Sequence, residues 1–163
     1  MPAATPLNAL DKAMKLLSIR ALSSRELHSK LLRAGFPANE AEQAVAECVK
    51  RRFIDDALLA EDYTSLLRQR NTGSRLIRQK LIKRGLREEL ESEHLPGEED
   101  TVQEIEAARR ALDYKWRLLS KENDLRKKRD KAFRFLAGRG FPASLIFQLL
   151  SEKCRCPEDS VDY

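Results

Sequence analysis

The sequence predicts an all-α protein built from tandem three-helix repeats, three units in an elongated, curved right-handed arrangement. Three observations lead there. Of 163 residues, 35% are charged and only 6% aromatic, with six glycines and six prolines, a balance that favours helices over a sheet-rich sandwich. A phrase is written three times: KLLRAGF at 30–36, KLIKRGL at 80–86 and FLAGRGF at 135–141. Aligned, these put Gly35, Gly85 and Gly140 in one column, Leu31, Leu81 and Leu136 in a second, and Phe36, Leu86 and Phe141 in a third, the internal period of stacked helical units. Around each phrase, apolar residues recur one helical turn apart.

Each element follows in order. In LDKAMKLLSIR, Leu10, Ala13, Met14 and Leu17 form one stripe, the first leading helix. SSRELHSKLLRAG opens on Ser23 with Glu26 three residues on, a capping box, and closes on Gly35. That glycine is predicted to take the left-handed conformation, with Phe36 folding back on the last turn. ANEAEQAVAECVKRR offers Asn39 as N-cap, Glu40 and Glu42 in the first turn and Lys50 to Arg52 in the last, in accord with the helix dipole. The second leading helix has Asp55 or Asp56 as its cap and a stripe of Leu59, Ala60, Tyr63, Leu66 and Leu67. The third runs from about Glu104 to Leu119 with Ala108, Leu112 and Trp116. The units are residues 1–52, 53–96 (central and basic) and 97–163, the last with a polar C-terminal tail. HLPGEED at 94–100, holding a Pro-Gly pair and three acids, is the expected flexible joint. No heptad survives beyond about two turns, which argues against a coiled coil.

The net charge is +5, which permits nucleic acid or an acidic protein as partner without requiring either. Its distribution is more informative. From Thr64 to Arg87 there are eight bases, Arg68, Arg70, Arg75, Arg78, Lys80, Lys83, Arg84 and Arg87, and no acid; from Glu88 to Glu106 there are nine acids and no lysine or arginine. Charge blocks are usually solvated faces, but two adjacent blocks of opposite sign are harder to dismiss. On a wheel for 74–84, Ile77 and Leu81 face the core while Arg75, Gln79, Lys80 and Lys83 point the other way. A second cluster, LRKKRDKAFR at 125–134, adds Arg126, Lys127, Lys128, Arg129, Lys131 and Arg134 against Asp130. Aromatics fall mostly on core stripes, so single- or double-stranded DNA would be met at its phosphates, tolerant of sequence and sensitive to salt.

Catalysis finds little support. His28 and His94 stand without a legible nucleophile or carboxylate arrangement, and no Walker loop, GxGxxG or HExxH is present. N-capping explains Asp55 and Asp56 more cheaply than acid–base work. Cys48 fits a helix as a small apolar residue, while Cys154 and Cys156 lack the further ligands of a closed zinc site. No enzyme, metal or cofactor is expected. No run reaches the roughly 18 apolar residues of a membrane span, and MPAATPLNALDKAMKLL lacks a basic segment followed by an uninterrupted apolar one. A cytoplasmic monomer is expected.

RRFIDDALLAEDYTSLLRQRNTGSRLIRQKLIKRGL, residues 51–86, resembles the central segment of the RecX family, bacterial regulators of the RecA recombinase. The likeness is carried by Phe53, Ile54, Asp55, Asp56, Ala60, Tyr63, Arg70, Gly73, Ile77, Leu81, Arg84 and Gly85. Leu76 and Lys80 stand where the family commonly has arginine and glutamate. SSRELHSKLLRAGF and RFLAGRGFPASLIFQLL fit the family's flanking three-helix repeats, so the likeness covers nearly the whole chain. The resemblance implies a non-enzymatic modulator that binds the RecA–DNA filament and restrains ATP hydrolysis, strand exchange and coprotease activity in recombination, repair and the SOS response. The two basic clusters are then candidate RecA or DNA contacts. The alternatives are a stand-alone, sequence-tolerant nucleic-acid-binding repeat module and a helical adaptor for an acidic protein.

Overall fold

The computed structural model describes residues 8–87 and 98–155, with the side chains of 98–101 left aside. Among the described residues there are eight helices and no strand: α1 Ala9–Leu17, α2 Ser24–Arg33, α3 Ala38–Lys50, α4 Asp56–Gln69, α5 Ser74–Lys83, α6 Glu98–Leu118, α7 Leu125–Gly138 and α8 Ala143–Arg155. The chain divides into two compact units, residues 1–63 with 80–93 and residues 64–79 with 94–163. Helices α4 and α5 therefore contribute residues to both.

In the first unit, Asn8 caps α1 by accepting from the Asp11 amide at 2.7 Å. Ser23 and Glu26 form the capping box of α2. The core is Ala9, Ala13, Leu22, Leu27, Leu31, Ala41, Ala44, Cys48 and Ile54, with alanines on both α1 and α3 where these helices pack together. Small residues there let the helix axes approach closely, which leaves little room for a larger stripe. Met14, expected on the core face of α1, is accordingly 39% exposed. Asn39 is not the cap of α3: Pro37 holds that position with φ −58° and ψ 151°, and its carbonyl already accepts from the Ala41 amide at 3.0 Å. The ring's fixed φ starts the helix before Asn39 can act.

In the second unit, Asp124 caps α7 by accepting from the amides of Arg126 and Lys127. The core is Ala107, Ala108, Ala111, Leu112, Trp116, Ala132, Leu136, Phe141, Ile146, Leu149 and Leu150. The third leading helix begins earlier than expected, at Glu98. Residues 94–97 of the anticipated joint lie outside the described residues, and 98–100 are helical. Leu66, expected on the α4 stripe, is 41% exposed, whereas Leu67 is buried.

The repeated phrase folds as expected. Gly35, Gly85 and Gly140 have φ of 93°, 81° and 88°. Phe36, Leu86 and Phe141 donate to the carbonyls of Leu31, Leu81 and Leu136, and the glycine amides to those of Leu32, Ile82 and Ala137. This is the paired-bond helix stop, three times over.

Candidate functional site

Helix α5 carries the densest part of the acid-free stretch. Ile77 and Leu81 are buried at a spacing of one turn, so Arg75, Arg78 and Lys83 are directed outward and are exposed, with Lys80 half-exposed. Among the described residues the side chains of Arg75, Arg78, Lys80 and Lys83 make no hydrogen bond or ion pair, so their charge faces solvent. Arg68, Arg70 and Arg87 are also exposed.

Arg84 is different. Its side chain is only 17% exposed, because its guanidinium donates to the Ala21 carbonyl and to Glu26, both at 3.1 Å, and lies 4.7 Å from the Tyr63 ring centre. Burial pushes the Glu26 carboxyl up, but the Arg84 hydrogen bond, the Ser23 amide and the charges of Arg84 and Arg20 outweigh it. The carboxyl is held below its ordinary value. An arginine so engaged holds two repeat copies together.

The surroundings of Arg84 form a joint that recurs at Arg139 in the second unit. The Arg84 carbonyl accepts from the Ser23 hydroxyl; the Arg139 carbonyl accepts from the Gly73 amide at 2.8 Å. The Arg139 guanidinium donates to the carbonyls of Arg70 and Asn71 at 2.7 and 3.2 Å, Asn71 occupying the register of Ala21. The Ser24 amide donates to Asp56, at 2.9 and 3.2 Å to its two oxygens, and the Ser74 amide to Glu104 at 2.9 Å. The Asp-Asp pair is thereby divided: Asp55 caps its own helix through the Leu58 amide at 3.0 Å, and Asp56 caps the preceding copy's α2. Arg139 and Glu104 were not singled out from sequence. The available signal was the basic residue just before the glycine in copies two and three, against Ala34 in copy one.

The 125–134 cluster is sorted by pairing. Lys127 meets Asp124 at 3.7 Å, and Lys131 pairs with Glu122, whose carboxyl that bond holds below its ordinary value. Lys128 lies over Trp116 at 4.4 Å. Arg126 and Arg129 have no carboxylate partner among the described residues.

No group of three or more His, Cys, Asp or Glu among the described residues is placed to hold a metal ion. Cys48 is buried in the first core, where burial pushes its thiol up; Cys154 is half-buried; His94 and Cys156 lie outside the described residues. No described helix is long and apolar enough to cross a membrane.

Comparison with known proteins agrees with this architecture. Residues 9–48 match the family model described as "RecX, first three-helix domain", and residues 102–150 the one described as "RecX, third three-helix domain". The chain is 35% identical over 135 residues to the regulatory protein RecX of Chlorobaculum tepidum, covering 82% of this chain and 81% of that one. It is 30% identical over 145 residues to that of Legionella pneumophila strain Corby, covering 88% and 93%, and 33% over 140 residues to that of Thermus thermophilus, covering 86% and 88%. The crystal structure of RecX from Lactobacillus salivarius is similar in fold, with a TM-score of 0.71 at 17% identity over 91% of this chain and 96% of that one.

Proposed function

The chain belongs to the RecX family, and from that premise we infer that it is a non-enzymatic, cytoplasmic regulator that binds the RecA–DNA filament. It modulates, and mostly inhibits, RecA ATP hydrolysis, strand exchange and coprotease activity. The observation that carries this reading is the group Arg75, Arg78, Lys80 and Lys83 on α5, whose side chains reach solvent and have no partner among the described residues. Solvated cations along a helix attract a polyanion at long range and then meet its phosphates, or acidic side chains beside them. Arg75, Arg78, Lys80 and Lys83 are the residues assigned to that surface, with Arg68, Arg70 and Arg87 as further exposed charge. Arg84 is assigned to the joint instead.

Cosedimentation with RecA filaments, with and without DNA, tests the reading. The expected outcome is retention with filaments and a fall in RecA ATPase. Charge reversal of Arg75, Lys80 and Lys83 together weakens retention roughly tenfold or more and lowers the salt slope by about one for each phosphate no longer neutralised. Unchanged RecA ATPase and strand exchange at superstoichiometric protein would overturn it. A stand-alone nucleic-acid module is favoured instead if the reversal abolishes DNA binding in the absence of RecA and the protein never sediments with RecA filaments.

A further inference from the structure

A cleft between α7 and α8 in the second unit combines exposed apolar surface with unpaired charge. Along α7, Arg126, Arg129 and Phe133 follow at spacings of three and four residues and so share a face. Helix α8 supplies Phe147 and Leu150. The rings of Phe133 and Phe147 are 5.0 Å apart and tilted by 38°, yet Phe147 remains 56% exposed, as does Leu125 at 53%. Helix α8 already buries Ile146, Leu149 and Leu150, so the core does not account for Phe147. The charges are selective too. Lys127, Lys128 and Lys131 are each engaged within the unit, while the two bases that line the cleft are not.

We propose that this cleft docks an acidic polypeptide segment of a partner protein carrying one bulky apolar side chain. The apolar side chain seats against Phe133, Phe147 and Leu150, and flanking carboxylates meet Arg126 and Arg129 in charge-assisted hydrogen bonds. Asp130, on the same rim, repels a carboxylate there and accepts from a backbone N–H, which fixes the register of the segment. A nucleic-acid backbone suits the cleft less well, since phosphates gain nothing from its apolar floor and are repelled by Asp130. The inference does not depend on the role assigned to α5.

The test is selection from a random-peptide display library on the full chain, with counter-selection on Phe147→Ser. Enriched peptides are expected to carry Asp or Glu around a Phe, Leu or Trp. A synthetic peptide of the enriched sequence should lose roughly tenfold or more in affinity to Phe147→Ser and, separately, to the Arg126→Glu/Arg129→Glu variant. Arg33→Glu, on α2, should leave it unchanged. Circular dichroism establishes that the variants are folded. Three results would overturn the proposal: no enrichment over the counter-selected chain, enrichment of basic or neutral peptides, or a labelled oligothymidine whose binding, rather than the peptide's, is lost with Phe147→Ser.

Discussion

The joints at Arg84 and Arg139 use the same turn and the same register but different chemistry. At Arg84 the receiving segment offers two side chains, the Ser23 hydroxyl and the Glu26 carboxylate, and the Tyr63 ring of Arg84's own copy lies against the guanidinium. At Arg139 it offers backbone: Gly73 and Leu76 stand where Ser23 and Glu26 stand, and the amides of Gly73 and Arg75 donate to the carbonyls of Arg139 and Gly140. One joint is held by a partly buried ion pair, the other by close backbone approach. A Cβ at Gly73 would lie 2.5 Å from the Gly140 carbonyl carbon and oxygen, which side-chain motion cannot relieve. The same helix start is thus closed once by its own polar side chains and once by close backbone approach, with a carboxylate from the following leading helix added in both, Asp56 at Ser24 and Glu104 at Ser74.

The contrast is broken most strongly at the glycines. Gly140→Ala combines a left-handed backbone penalty with a clash against the Leu76 backbone nitrogen at 2.5 Å, and is expected to cost about 3 kcal/mol. Gly35→Ala shares the positive φ, but nothing lies within 4 Å, so about 1 kcal/mol is expected. Urea denaturation of both variants measures the difference. A similar loss in the two would mean that the Gly140 turn yields where the static contact says it cannot.

Removing the arginines is the next test. Arg84→Met leaves the Glu26 carboxylate with the more exposed Arg20 and the Ser23 amide alone and should cost about 2 kcal/mol. Arg139→Met loses bonds to two carbonyls that water can reach, for about 1 kcal/mol. A double-mutant cycle with Glu26→Gln should return a coupling of about 1 kcal/mol for Arg84 and none for Arg139.

The smallest expected effect is in pH. The Glu26 carboxyl is lowered in the folded state, so its contribution is fully present above the ordinary carboxylate value and lost as pH falls through the lower folded-state value. Acidification should therefore loosen the Arg84 joint before the Arg139 joint. Hydrogen exchange of the Ser23–Leu27 and Gly73–Ile77 amides, followed across that range, reports each separately; equal loss at both would remove Glu26 as the cause.

Features dictated by near neighbours in the chain were legible before the structure. The glycine stops, the Ser23–Glu26 box and the burial of Ile77, Leu81, Ala108, Leu112 and Trp116 depend on spacing along one helix, which a sequence displays. Met14 was misplaced because the width of a buried face depends on how closely the neighbouring helix approaches, and the alanines of α1 and α3 set that; on α4 the stripe buries Leu67 and leaves Leu66 exposed, a choice between adjacent leucines that spacing does not make. Asn39 was outranked by a proline two residues earlier, whose ring fixes the backbone more firmly than a side-chain bond. Arg84 was read as part of a basic face because its partners, Ala21 and Glu26, lie 63 and 58 residues away. Phe147 sits in the apolar run FPASLIFQLL, where nearly every position is greasy and periodicity cannot say which side chain is left outside.

Ala34 takes on meaning from the two arginines that align with it. Each joint is directional: a later copy offers the Arg-Gly corner and an earlier copy receives it. The copy at 30–36 carries Ala34 at its corner, with open space around Gly35. An arginine there would resemble the live end of a chain-growth polymer, a cohesive group facing that open space. The alanine methyl offers no such bond, so this corner is chemically quenched while its two counterparts are engaged.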